Sequence, residues 1–418
     1  MKNKLFPLIL LFTIFPVCLY SQSFEKMVGL SLDTLSIALK KKDIELAKKS
    51  FAPGFSISTS SAASAYDLLD IILKNRNFES IEFVSENKRI EKDSTILADA
   101  KIVMQDKQVY QSIIAFDRNA RIIFIDYFDR LFGHSRYKKS QLVATLPFLQ
   151  DEGSVILQIR LNDKSRRLSF LLDTGADGMA IRKNLADSLN LDISHAQTAN
   201  VVGGQKQVEI SSGNTVFLTD SVSLTNQNIA IFENVRDNID GIIGLNLVKQ
   251  YITQIDFDKK LIYLYSFGDF GYADGGSVVE VGTQYGLISI PGILNLTGKK
   301  EIAGTFVIDT GASYHLIAFS HFVRKNRLLL SGFKPESSGS TISLGHATPV
   351  YNGKASEFVI GNGIMQADMP VTLQASTGKG QDDRKIPDGS VGIQFLNRYN
   401  LTIDLLKKEI YLIPRKIL

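Results

Sequence analysis

The chain repeats itself, and that repeat limits the folds open to it more than any other feature. DGIIGLNLVKQYITQIDFDKKLIYLY, Asp240 to Tyr265, aligns without a gap on DGSVGIQFLNRYNLTIDLLKKEIYLI, Asp388 to Ile413, with 11 identities in 26 positions. Similarity of that strength within one chain means two copies of the same structural unit. Upstream of each copy lies a second duplicated element, FLLDTGADGMAI from Phe170 to Ile181 and FVIDTGASYHLI from Phe306 to Ile317. Each drives an apolar strand straight into an aspartate. A carboxylate at the end of a buried strand is costly unless something nearby uses it.

Around these elements, from about Ser140 to Leu418, the sequence is short apolar or alternating runs broken by turn residues, with few helical patches. The clearest of those, RKNLADSLNL (Arg182 to Leu191) and SHFVRKNRLL (Ser320 to Leu329), each follow an Asp-Thr-Gly by a short distance. The expectation is a mainly β architecture of two homologous lobes, 139–270 and 271–418. GDFGYADGG, Gly268 to Gly276, reads as a flexible linker between them.

Each lobe thus carries apolar-apolar-Asp-Thr-Gly-Ala and then Asp-Gly-x-apolar-Gly, in that order. The pairing resembles the aspartic peptidases, and DTGAD with IIGLNL is most similar to the retroviral type, the retropepsins; the two lobes read as a bilobal acid-protease β-barrel architecture. A single Asp could instead cap a turn, with its Gly marking that turn. Two motifs with both partners in register argue against that reading.

The resemblance implies roles. Asp173 and Asp309 would face each other across a pseudo-twofold axis, too close for both to ionise, and so share one proton. The ionised member would draw a proton from water while the protonated member polarised the scissile carbonyl. Thr174 and Thr310 would send their hydroxyls to the opposite loop. Gly175 and Gly311 would let the loops approach closely, and Gly244 and Gly392 would let the strands behind them do the same. Ile242 and Ile243 suit a buried supporting strand, whereas Ser390 in the second copy departs from that pattern.

In the family, hairpin flaps close over an extended peptide that binds as an added strand. VVGGQKQV, with Gly203 and Gly204 at its tip, and SLGHATPV, with Gly345 central, stand at the flap positions, although ordinary hairpin turns would look the same. Asp177 matches the family's substrate-contacting acid, with Ser313 as its counterpart. Leu245 occupies the place of the Arg that pairs with that acid in retroviral enzymes, which leaves the ion partner of Asp177 open. Ala176 and Ala312 stand where pepsin-like enzymes carry a hydroxyl that lowers the carboxyl pKa, so a pH optimum above the gastric range is expected.

Ahead of the repeats, residues 23–138 begin with helical spacing (Leu32, Leu35, Leu39, then Ile44, Ala47, Phe51) and an N-cap at Asp43. Strand-like runs follow at Ile81–Val84, Thr95–Met104, Val109–Phe116 and Arg121–Phe128. Helices followed by antiparallel strands read as an α+β domain. ALKKKDIELAKKSFAPGF resembles the nuclear-transport-factor-2-like cone fold, which implies a pocket or a dimer surface; a spacer role is equally open.

Residues 1–22 have the layout of a secretory signal peptide, with Lys2 and Lys4 before an apolar run to Tyr20 and small polar residues at Ser21 to Ser23. Cleavage near Ser21 is expected, with retention as an anchor as the alternative. Lipidation of Cys18 is disfavoured by the bulky residues before it. Removal would leave 45 basic residues against 43 acidic ones, a net charge of +2 instead of +4, and would take away the single cysteine. The expectation is a secreted or periplasmic protein without disulfides and without stable membrane insertion.

No basic run is long enough to suggest nucleic acid. The five histidines (His134, His195, His315, His321, His346) show no ligand spacing, so no metal and no cofactor are expected. GSVG at Gly389 lacks the serine-hydrolase elbow. The reading is therefore an aspartic endopeptidase acting on peptide or protein substrates, with one chain sufficient for the site. The alternative is a catalytically silent peptide-binding module on the same fold.

Overall fold

The structure is a computed structural model; it describes residues 15–416 except 62, 91–94, 163–165, 202–203, 234–235, 237, 284, 299, 344–345, 362 and 376–385. The chain divides into two compact units, Met1–Arg136 and Tyr137–Leu418. Most of the signal-peptide reading lies outside the described residues; the helix Phe15–Lys41 runs through the expected cleavage point at Ser21. Among the described residues no helix is long and apolar enough to cross a membrane.

The first unit is helices followed by a four-stranded antiparallel sheet, Phe78–Ile90, Ile96–Met104, Val109–Phe116 and Ile122–Ile125. The helical leucines expected from spacing, Leu32, Leu35 and Leu39, are buried. Asp43 caps Ile44–Lys48 by accepting the Leu46 amide at 2.9 Å. The last strand is shorter than its apolar run suggested. Residues 126–128 open a short helix, Asp126–Leu131, where the Tyr127 amide bonds the Ser112 hydroxyl instead of a strand neighbour.

The second unit holds the repeats, and each lobe follows the same strand order. In the first lobe the strand Leu168–Leu172 runs into Asp173. Gly241–Ile243 pairs parallel to it and antiparallel to Met179–Arg182, the strand that leaves the loop. In the second lobe Glu301–Asp309, Gly389–Gly392 and Leu316–Ala318 repeat that arrangement strand for strand. Ser154–Leu161 also pairs with Gly204–Phe217, and Ser289–Asn295 with His346–Ile360, which curls each sheet on itself.

The conserved Asp-Gly of the repeat has a structural job. Asp240 accepts the Ser169 amide and Asp388 the Thr305 amide, each at 2.8 Å, so each carboxylate ties its crossing strand to the one that ends in Asp-Thr-Gly.

The two lobes share one sheet. One end of it is ordered Leu142–Asp151, Leu261–Tyr265, Ile252–Asp256, Tyr399–Asp404, Glu409–Pro414 and Ser277–Glu280, three strands from each lobe. At the seam Gln254 pairs with Thr402, flanked by Thr253 with Ile403 and Ile255 with Leu401. Gln254 and Thr402 are also equivalent positions of the repeat, so the pseudo-twofold axis passes between them.

The cores join as well. Phe170 and Phe306, Ile255 and Leu401 all belong to a single apolar cluster. The expected flexible linker is pinned to this sheet: Tyr272 stacks on Tyr411 at 4.5 Å and donates to Glu409 at 2.6 Å, while the Gly276 amide bonds the Tyr411 hydroxyl at 2.8 Å.

One pair of equivalent residues at the seam has diverged. Asp256 and Asp404 each end a seam strand and accept turn amides, from Lys259 and from Leu406 and Lys407. Lys259 Nζ also pairs with Asp256 Oδ2 at 2.9 Å, whereas Lys407 Nζ turns to the Phe270 carbonyl. Asp404 is 1% exposed, with Oδ2 lacking a partner among the described residues, and burial pushes its carboxyl up to about 6.

A carboxyl raised in the folded state stabilises fully below its unfolded pKa, about 4, and loses that contribution as pH rises through about 6. Asp404→Asn is therefore expected to reduce the fall in unfolding free energy between pH 4 and pH 7 by about 2 kcal/mol relative to the parent. Urea unfolding at the two pH values measures it, and equal falls in both proteins would contradict the assignment.

Candidate active site

The two Asp-Thr-Gly loops meet at the pseudo-twofold axis. Thr174 donates its hydroxyl to the Ile308 carbonyl at 2.6 Å, and Thr310 donates to the Leu172 carbonyl at 2.7 Å. Each hydroxyl also accepts the other threonine's amide at 3.1 Å. Both threonines are fully buried. Such hydrogen bonds contribute about 1 kcal/mol each when made, but leaving a buried partner unpaired costs about 1–3 kcal/mol. The four bonds therefore resist separation of the loops more strongly than their net stabilisation suggests.

This lock brings Asp173 and Asp309 within hydrogen-bond reach of one another. Each is steadied from its own loop: the Gly175 amide donates to Asp173 Oδ1 at 2.9 Å and the Gly311 amide to Asp309 Oδ1 at 3.1 Å. The glycines are required by the approach of the opposite lobe. A Cβ on Gly311 would stand 2.3 Å from Asp173 Cγ, and one on Gly175 would stand 2.5 Å from Asp309 Cγ.

Gly244 and Gly392 permit the same closeness one layer back. A Cβ there would come 2.3 Å from the Gly178 carbonyl and 2.2 Å from the Tyr314 carbonyl respectively. Just beyond them the Leu245 and Ile393 amides bond the Ala176 and Ala312 carbonyls at 2.9 and 2.8 Å. The crossing strands thus hold the loops from behind.

Both aspartates are half-buried residues, and loss of water contact is the largest influence on each carboxyl. Burial pushes Asp173 well above the ordinary carboxylate range, and the neighbouring Asp309 pushes it further. Burial raises Asp309 as well, but hydrogen bonds from Asp173, the Gly311 amide, Ser390 and Tyr314 hold it back. Two carboxyls so close disfavour ionising together.

The residues expected to bind substrate are less concentrated. Asp177 and Ser313 are both exposed, four positions after their aspartates. Asp177 has a cation nearby after all: it favours the charged form of Lys249, whose pKa burial lowers. Lys249 sits one helical turn after Leu245, its amide bonding the Leu245 carbonyl at 2.8 Å. The equivalent position in the second copy is Asn397, so the acid–cation pair of the first lobe becomes Ser313 and Asn397 in the second.

Both flap candidates are antiparallel hairpins, laddered from His195–Ile210 to Val201–Gly204 and from Ser337–Asn352 to Ser343–His346. Gly204 closes the first ladder; Gly203 and Gly345 lie outside the described residues. Tyr314, which sequence reasoning passed over, reaches Asp309 Oδ2 at 3.4 Å, as does Ser390. The substitution of Ser for Ile242 between the repeats was the available signal for the latter.

The doubled lobe, the crossing strands and the facing Asp-Thr-Gly loops are the features that the sequence resemblance to aspartic peptidases implied. Residues 157–247, the heart of the first lobe, match the family described as aspartyl protease. Solved structures similar to the chain include the aspartic proteinase from Irpex lacteus, at 12% identity and a TM-score of 0.44 over 66% of this chain and 98% of that one. Another is a retropepsin-like aspartic protease from Rickettsia conorii, at 19% identity and a TM-score of 0.24 over 31% of this chain and 96% of that one. No curated protein matches.

Removing the Thr310 hydroxyl by Thr310→Val strands the Leu172 carbonyl and the Thr174 amide. Urea unfolding is expected to show a loss of about 2–4 kcal/mol, from two orphaned groups. Gly311→Ala, which pushes a methyl into Asp173, should destabilise the second unit too; stability within error of the parent for both variants would refute the lock.

Proposed function

We propose that the protein is an aspartic endopeptidase of the extracytoplasmic space, and that Asp173 and Asp309 activate a water for attack on a peptide bond. The observation that carries the reading is the pair of carboxyls held together by reciprocal threonine bonds, with burial raising both. In the reaction the ionised carboxylate takes a proton from water, whose oxygen bonds to the carbonyl carbon. The protonated carboxyl gives its proton to the carbonyl oxygen. Collapse of the tetrahedral diol breaks the C–N bond, moves the first proton to the leaving nitrogen and returns the second to the dyad.

The substrate would be an extended peptide, pairing through its backbone with the hairpins that end near Gly204 and His346. Because Asp177 with Lys249 on one side faces Ser313 with Asn397 on the other, the two sides of a bound peptide would meet different chemistry. One chain suffices for the site. The signal-like start, with Lys2 and Lys4 before an apolar run, supports export.

The full chain incubated with a peptide library is expected to cleave, and Asp173→Asn or Asp309→Asn to lower kcat/KM by at least about 10³-fold, as loss of a general acid or base does. Cleavage surviving either change would remove the dyad mechanism, and peptide binding without cleavage at any pH would leave the binding-module reading. The raised carboxyls place the working window, in which one is ionised and one protonated, above that of an unperturbed pair. The rate profile should accordingly peak above about pH 3.

A further inference from the structure

We infer that Tyr314 and Ser390 make the two aspartates unequal, fixing the negative charge on Asp309 and leaving the proton on Asp173. This rests on the dyad of the proposed function and goes further by assigning its two roles. Asp309 would be the base that takes the proton from water, and Asp173 the acid that protonates the carbonyl oxygen.

The geometry is one-sided. Both hydroxyls reach the same atom, Asp309 Oδ2, each at 3.4 Å, while the Gly311 amide takes Oδ1. Tyr314 comes from the Asp309 loop itself and Ser390 from the crossing strand behind it. The two hydroxyls also interact with one another. Ser390 is 2% exposed, so its hydroxyl has little water to turn to.

On the other side the matching positions are Gly178 and Ile242, neither of which has a donor side chain. Asp173 is met by the Gly175 and Ala176 amides and, among the described residues, by no hydroxyl. Donors aimed at a carboxylate favour its ionised form. Three donors on Asp309, two of them hydroxyls, against two amides on Asp173 therefore bias a shared proton toward Asp173.

The titratable groups facing Asp309 are Asp173 from the opposite loop and Tyr314 from its own. Burial keeps the Tyr314 phenol well above its usual range, so it stays a neutral donor wherever the carboxyls titrate. With Ala at 176 and 312, the hydroxyl missing after Asp-Thr-Gly is replaced in the second lobe only, and from two other positions. Tyr314 and Ser390 act through Asp309 and are positioning residues.

The test reads ionisation directly, without turnover. The full chain is labelled with ¹³C at aspartate side-chain carboxyl carbons, and Asp173→Asn and Asp309→Asn each leave one dyad member to titrate alone. The surviving Asp309 should ionise about one pH unit or more below the surviving Asp173. Adding Tyr314→Phe and Ser390→Ala to Asp173→Asn should raise the Asp309 midpoint by about one unit. If that combination does not fold, Ser390→Ala alone should give a smaller shift in the same direction.

Equal midpoints, the reverse order, or no movement on loss of the hydroxyls would overturn the inference. A split of the midpoints in a chain that cleaves nothing would uphold it while removing the peptidase reading. Normal cleavage with equal midpoints would do the opposite.

Discussion

The structure turns on two threonine hydroxyls that each cross to the other lobe's backbone. Each bond contributes modestly, but both ends are buried, so no water can replace a lost partner. The fold is arranged around making these bonds at once. The seam at Gln254 and Thr402 sets the pseudo-twofold axis, the shared apolar core prevents the lobes from parting, and the crossing strands press the loops together from behind.

Closeness is the common currency of the site. The glycines at 175 and 311 exist because a carboxyl carbon stands where a Cβ would be, and those at 244 and 392 because a carbonyl oxygen does. The same crowding that excludes side chains also strips water from the carboxyls and raises both. A looser junction would lose that burial along with the packing.

Duplication made the two halves alike, and divergence then separated them at chosen points. Lys259 pairs with Asp256 while Lys407 turns to the Phe270 carbonyl; Asp177 has Lys249 nearby where the second copy has Ser313 and Asn397. Ile242 became the counterpart of Ser390. The frame that holds the dyad is symmetric, and the groups that tune its members are not. A single chain allows this, since a homodimer would have to change both sides together.

Much of this was legible in order along the chain. The duplicated Asp-Thr-Gly and Asp-Gly-x-apolar-Gly segments determined two β lobes, the facing aspartates and the glycines beside them, because those residue types leave the backbone few alternatives. Strand Arg121–Phe128 was over-read, because apolar residues alone do not distinguish a strand from the short helix that a hydroxyl in a neighbouring strand supports. The Gly-rich stretch Gly268–Gly276 was read as free because its aromatic anchors, Tyr272 and Tyr411, are far apart in sequence.

What only the tertiary structure decided are the meetings between distant positions: Tyr314 and Ser390 on one oxygen of Asp309, Lys249 beside Asp177, and the single sheet that fuses the lobes. Side-chain type and spacing report what a residue can do. Which partner it does it with depends on chain crossings that no local pattern encodes.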